Sequence, residues 1–246
     1  SAVALATALC LSAPRAQAFS GQPDATFGQG GGARLGFTGA NNTANAAALQ
    51  ADGKIVVAGT GRNGGWSRGP LMLARYNADG STDTSFGDGG VGWYFSEADT
   101  TYEARAVSVL TDGRIVVMGN SRGPGIFSFE SKVYVARFEA DGTLDPTFGN
   151  GGIAYPMPYT RFGGYAMLIQ ADGRIVIAGN AGNAPHLALA RLNSDATPDA
   201  SFNAGIGYAA VPIMSRSGAS AVGLLNGKYV VTGVGYDVNS DSAIAV

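Results

Sequence analysis

One recurring phrase limits what this chain of 246 residues can fold into more than any other feature. Residues 49–59 read LQADGKIVVAG, close variants end at Gly119 and Gly179, and a weaker form ends at Gly233. The first three copies are spaced by about 60 residues, a period typical of propellers, solenoids or arrays. We therefore predict a fold built from repeated units.

Each repeat predicts four short strands. In the first repeat these are an apolar run around Ala46 to Leu49, then KIVVAG, LMLARY and VGWYF. The Asp-Gly pair between the first two runs is a strong hairpin signal, because it accepts the backbone angles of a tight turn. A second phrase, LARYNADGSTDTSFGDGG, begins at Leu73 and returns from Val135 and from Leu189 in step with the first. No segment after residue 19 shows a helical period.

Four antiparallel strands per repeat, with a nearly continuous apolar second strand, predict an all-β chain folded as a β-propeller. A parallel β-helix and an open stack of sheets are the alternatives. Three repeats are complete and the last stops at SAIAV, while GARLGF at residues 32–37 resembles an orphan fourth strand. Pairing the orphan strand with the incomplete last repeat would close a ring of four blades. The other interpretation is that the four blades are part of a larger propeller.

The two phrases in fixed order resemble the delta-60 repeat, a repeat of exported bacterial proteins. The resemblance covers essentially everything after residue 21. It implies propeller-like β-structure and supplies no common catalytic residues. The third repeat departs from the pattern, with Ala196 in place of the turn glycine and Asn203 in place of the glycine after phenylalanine.

The apolar N-terminal stretch predicts export. Residues 1–18 are expected to be part of a signal peptide ending in Ala16-Gln17-Ala18, which leaves residues 19–246 as the propeller domain. A short buried helix is the alternative, and a lipid anchor at Cys10 is disfavoured because Leu9 precedes the cysteine. We expect a secreted, periplasmic or cell-surface protein.

Charge and hydropathy exclude two classes of partner. The net charge is −2 and no basic stripe is present, so nucleic-acid binding is not expected. After the first residues, no segment reaches the roughly 18 to 20 apolar residues of a transmembrane helix.

Recurring acids are candidate metal ligands. Calcium uses oxygen-rich loops, although the spacing here lacks the terminal glutamate of the best-known calcium loop. The competing interpretation is that these acids shape turns and pair with recurring arginines. The candidate ligands are Asp79, Asp83, Asp141, Asp145, Asp195 and Asp199. No other cofactor is predicted. Recurring phenylalanines are expected to plug the blade corners: Phe27, Phe86, Phe148 and Phe202.

The loops of a propeller blade divide between two faces. Both recurring phrases place their turns on the face that carries the one-to-two and three-to-four loops, here called the motif face. The opposite face, here called the variable face, carries loops that differ in every repeat, and such loops are where binding usually occurs. Its candidate ligand-binding residues are Arg62, Trp66, Arg68, Tyr102, Arg122, Tyr159, Arg161 and His186.

Enzyme chemistry is poorly supported by the sequence. His186 is the only histidine, and Glu97, Asp99 and Glu103 share one loop without a second acidic cluster opposite them. We therefore expect a non-catalytic binding module for a glycan or a surface protein. A structural or adhesive repeat protein of the cell envelope is the alternative, followed by a propeller hydrolase.

Overall fold

A computed structural model describes most of the predicted propeller domain. The described residues are 23–34, 42–61, 69–94, 100–123, 131–157, 162–182, 186–211, 216–236 and 242–243. All regular structure within these ranges is β-strand. In this part of the chain no helix is long and apolar enough to span a membrane. The predicted signal peptide, residues 1–18, lies outside the described residues.

The strands form four antiparallel sheets in sequence order, here called blades 1 to 4. Blade 1 contains β1 (Thr43–Leu49), β2 (Ile55–Thr60), β3 (Leu71–Tyr76) and β4 (Val91–Tyr94). Blade 2 contains β5 (Thr101–Val109), β6 (Ile115–Arg122), β7 (Ser131–Phe138) and β8 (Ile153–Ala154). Blade 3 contains β9 (Phe162–Ile169), β10 (Ile175–Ala181), β11 (His186–Leu192) and β12 (Tyr208–Val211). Blade 4 has three strands within the described residues: β13 (Arg216–Leu225), β14 (Lys228–Tyr236) and β15 (Ser242–Ala243).

The turns follow their sequence signals even where the repeat departs from its pattern. Ala196 keeps a positive φ of 77° and Asn203 one of 49°, the region that glycine favours. The fourth hairpin turns on Asn226 and Gly227, with φ of 50° and 74°, the pair of positive angles that a two-residue hairpin needs.

Packing between blades explains the apolar second strands. In β6, Ile115 and Val117 face blade 1, while Val116 and Met118 face blade 3, and all four are almost completely buried. A strand covered on both sides must be apolar on both sides. Since the first strands β1, β5, β9 and β13 contact their neighbours in turn, they lie nearest the propeller axis.

The two ends of the row of blades expose apolar side chains. Val234 of β14 is 42% exposed and Leu49 of β1 is 73% exposed. Residues 23–34 form a corner against blade 1, where the Gly28 amide donates to the Asp79 carbonyl at 2.7 Å. Residues 35–37, half of the predicted orphan strand at residues 32–37, lie outside the described residues.

Candidate functional site

Buried ion pairs hold the motif face together. In blade 1, Arg75 Nε donates to Asp83 Oδ2 at 2.7 Å, and both side chains are 8% exposed. Arg137 makes the same bond to Asp145 at 2.6 Å in blade 2, and Arg191 makes it to Asp199 at 2.6 Å in blade 3. The predicted pairing of recurring acids with recurring arginines is therefore present in all three complete blades.

Each of these arginines also reaches an aromatic ring and the next blade, and we call this set of contacts the latch. The Arg75 guanidinium lies 4.6 Å from the Phe86 ring centre and donates to the carbonyl of Ala140 in blade 2. Arg137 lies 4.6 Å from the Phe148 ring centre and donates to the carbonyl of Ser194 in blade 3. The latch therefore joins neighbouring blades as well as closing a turn.

The third latch uses a side chain in place of a carbonyl. Arg191 Nη1 lies 3.0 Å from the hydroxyl of Tyr229 in blade 4, and this hydroxyl is also 3.1 Å from Gln170 Oε1. The Arg191 side chain is 16% exposed, more than the 7% of Arg137. The joint between blades 3 and 4 is therefore less enclosed than the joint between blades 2 and 3.

A second cation joins each latch, and the sequence analysis missed it. Lys54 Nζ lies 3.0 Å from Asp83 Oδ2, Arg114 lies 3.5 Å from Asp145 Oδ2, and Arg174 lies 3.1 Å from Asp199 Oδ2. The available signal was the basic residue that follows every Asp-Gly turn of the first phrase. In each blade the basic residue of the first phrase and the arginine of the second phrase thus contact the same carboxylate.

Hydrogen bonds and neighbouring charge keep these carboxylates ionised. Burial alone would raise the pKa of Asp145, but hydrogen bonds from Thr147 and Arg137 outweigh it and lower that pKa to about 2. Hydrogen bonding by Ser85 likewise lowers the pKa of Asp83. The latch carboxylates are therefore ionised at neutral pH.

The candidate metal ligands are engaged in turns or latches. Asp79 Oδ1 accepts hydrogen bonds from the amide and the hydroxyl of Ser81, and Asp141 and Thr143 repeat this arrangement. Asp195 does the same with Thr197. In the described ranges, no three His, Cys, Asp or Glu side chains gather closely enough to hold a metal ion. Calcium binding by these loops stays a prediction.

Only some of the candidate ligand-binding residues fall in the described part of the chain. Tyr102 is 1% exposed and packs edge-on against Tyr134, so we assign it to the core. Arg122 is exposed at the end of β6, and His186 is half-buried at the start of β11. The others lie outside the described residues: Arg62, Trp66, Arg68, Tyr159 and Arg161.

Every inner strand carries a β-bulge at the equivalent position. One extra residue interrupts the pairing of β1, β5, β9 and β13 with their partner strands. Each bulge lies in the first half of its strand or at its midpoint, towards the variable face. The extra residues, here called the bulge row, are Asn45, Arg105, Tyr165 and Ser220, and all four are exposed.

The bulge explains the glycine that ends the first phrase. A Cβ at Gly119 would collide with the carbonyl oxygen of Glu103 and with the Tyr134 side chain. Gly179 and Gly233 face the same obstacle from the backbone of β9 and β13. The recurring glycine is therefore required by the close approach of the inner strand.

A separate cleft of about 420 Å³ opens on the motif face between blades 2 and 3. Aliphatic side chains such as Leu110 and Ile169 line it together with Arg114 and Arg137. Both arginines already contact the latch carboxylate of Asp145. The polar groups of this cleft thus serve the scaffold.

The fold and the latches define the class of the chain: it is a β-propeller whose blades are joined by repeated contacts on one face. The family model described as a domain of unknown function, DUF5122 beta-propeller, matches residues 50–86, 110–148 and 170–202. Each matched segment runs from the Asp-Gly hairpin to the phenylalanine corner. No curated protein matches the chain.

Several solved structures are similar to this chain, and two of them illustrate the likeness. A protein of unknown function from Dyadobacter fermentans DSM 18053 aligns with a TM-score of 0.53 at 16% identity, over 81% of this chain and 51% of that one. A polysaccharide lyase of a new family, an ulvan lyase, aligns with a TM-score of 0.47 at 13% identity, over 83% and 54%. The chain spans about half the length of each of these proteins.

Proposed function

We propose that this chain is an exported, non-catalytic binding module that takes a glycan at the variable-face end of its blades. A propeller scaffold suits this role because its loops can vary without disturbing the sheets. The apolar stretch before residue 19 favours export, where glycans of cell surfaces and matrices are available.

One contrast between the two faces carries this proposal. On the motif face the same latch recurs in three blades, from Arg75–Asp83 to Arg191–Asp199, and fixes the turns in one arrangement. On the variable face the loops differ in length and sequence in every repeat, and they are rich in aromatic and arginine residues. A repeated support with a diversified rim is the arrangement of a binding scaffold.

The test is a binding screen of residues 19–246 against bacterial and plant polysaccharides. The chain has two tryptophans, so Trp66→Ala in a variable loop can be compared with Trp93→Ala in the outer strand β4. We expect binding that Trp66→Ala abolishes and Trp93→Ala retains. The bound polysaccharide should also release no new chain ends on incubation. Failure of the folded protein to bind any glycan would refute the proposal.

A structural role is the second candidate, and the exposed ends of the row of blades favour it. Val116 and Val176, at most 1% exposed, lie on outward faces that the next blade covers, whereas the equivalent face of β14 exposes Thr232 and Val234. Apolar sheet faces of this kind associate in water. Light scattering across a range of protein concentrations tests this assembly. A molecular mass that rises with concentration in the wild type but not in Val234→Lys supports it. A constant monomer mass in the wild type opposes it.

A further inference from the structure

We propose that the bulge row forms the glycan site, with Tyr165 as a stacking platform and Arg105 and Asn45 as polar contacts, and that its ligand is an uncharged oligosaccharide. This inference rests on the proposed glycan binding and assigns it to particular residues. None of these three residues was a candidate from the sequence.

The bulge recurs in every blade, whereas the side chain at the bulge differs from blade to blade. All four inner strands have the bulge, and the second strand of each blade carries the glycine that accommodates it. A β-bulge redirects a side chain, and bulges are common beside active sites for this reason. The fold therefore presents one exposed side chain per blade and leaves its chemistry free to vary, from Asn45 through Arg105 and Tyr165 to Ser220.

Hydrogen bonds between blades hold neighbouring members of the bulge row close together. Asn45 Nδ2 donates to the carbonyl of Ala104, the residue before Arg105, at 3.1 Å. Asn120 of β6 binds both backbone groups of Gly164, the residue before Tyr165, at 2.9 and 3.1 Å. These bonds cross from one blade to the next, so they fix the bulges of blades 1 to 3 relative to one another.

The bulge row combines an exposed aromatic ring with exposed hydrogen-bonding groups. Tyr165 is 44% exposed although it lies on an inner strand, so its ring is available to an apolar sugar face. Arg105 Nη2 lies 3.0 Å from Glu103 Oε2, and each of these side chains is 39% exposed. The guanidinium can donate to a sugar hydroxyl and the carboxylate can accept from one.

The bulge row, taken together with Glu103, carries no net charge. Within the row and its paired residue, Arg105 and Glu103 cancel each other, and Asn45, Tyr165 and Ser220 are uncharged. An anionic sugar would have to compete with the Glu103 carboxylate for the Arg105 guanidinium. An uncharged oligosaccharide gains hydrogen bonds and stacking without that penalty, and its binding should depend little on salt.

The experiment measures binding of uncharged gluco-, xylo- and manno-oligosaccharides and of charged oligogalacturonates by isothermal titration calorimetry. Tyr165→Ala is compared with Tyr155→Ala, because both tyrosines are 44% exposed while Tyr155 follows the outer strand β8. Circular dichroism and thermal melting check the fold of each variant. Tyr165→Phe, which keeps the ring, serves as a control, and Tyr165→Leu, which removes the ring but keeps apolar bulk, replaces Tyr165→Ala if that variant does not fold.

We expect an uncharged oligosaccharide to bind with an affinity that falls about tenfold or more in Tyr165→Ala and changes less than about twofold in Tyr155→Ala and Tyr165→Phe. Arg105→Ala should also lower the affinity for the same oligosaccharide. Equal binding by wild type and Tyr165→Ala overturns the site while leaving glycan binding intact. Binding of the charged probes alone overturns the ligand class, and binding of no glycan removes the proposed function itself.

Discussion

The substitution Arg137→Ala tests whether the latch holds the blades together. Arg137 is 5% exposed and binds Asp145, which is 1% exposed, at 2.6 Å. Its removal leaves a buried carboxylate with one remaining cation, Arg114 at 3.5 Å. It also leaves the Ser194 carbonyl without this donor and removes the cation from the Phe148 ring.

The expected loss of unfolding free energy follows from burial. Breaking a buried ion pair by deleting one partner costs about 3 to 5 kcal/mol, because an uncompensated charge remains in a medium of low dielectric constant. Since Arg114 still faces Asp145, we expect a value near the lower end, about 3 kcal/mol. The matched control is Arg105→Ala, whose pair with Glu103 has both side chains 39% exposed. An exposed pair contributes less than about 1 kcal/mol.

Urea unfolding at pH 7, followed by circular dichroism, measures both variants against the wild type. The double substitution Arg137→Met with Asp145→Leu should recover most of the lost stability, because it removes both buried charges together. If Arg137→Ala costs no more than Arg105→Ala, the latch does not stabilise the propeller and the reasoning from burial is wrong.

Three further predictions concern stability. Gly119→Ala should lower the free energy of unfolding in urea by about 3 kcal/mol, because its Cβ meets the backbone of Glu103. Gly223→Ala, with open space around its Cβ, should change that free energy by less than about 1 kcal/mol. Equal effects would contradict the account of the bulge. Asp145 has its pKa lowered from 3.8 to about 2, so it contributes about 2 kcal/mol that is present above pH 4 and lost as the pH falls towards 2. Asp145→Asn should make stability depend less on pH between about pH 2 and pH 4. An unchanged pH dependence would argue against this role of Asp145. Chelator should leave the melting temperature of the wild type unchanged, and a lowered value would instead support calcium in the acidic loops.

Local sequence signals were sufficient for the strands and turns. The phrase around Asp52 predicted a hairpin, and β1 and β2 flank that turn as expected. The Arg75–Asp83 pair was also predictable, because its members are close in sequence and recur together. Such features depend on residues within one repeat, so a single sequence contains them.

The candidate site was less accessible to sequence reasoning. Aromatic and arginine residues in the variable loops drew attention, and Tyr102 among them is buried against Tyr134. Tyr165 was not among the candidate residues, and the sequence assigned residues 157–165 to a loop between blades, whereas the structure places Tyr165 on the inner strand β9. Its exposure comes from the bulge, and the sequence signal for the bulge was the glycine opposite it, Gly179.

The sequence by itself determined the repeat, the four-stranded unit and the acid–arginine pairs, because turn chemistry and strand patterning act over a few residues. Only the tertiary structure decided which group of the next blade each latch arginine contacts, and which residue of each inner strand is displaced outward. Arg137 meets the Ser194 carbonyl, and Asn45 meets the Ala104 carbonyl, across a boundary between blades. These contacts join residues of different repeats, and their geometry exists only once the blades have packed against each other.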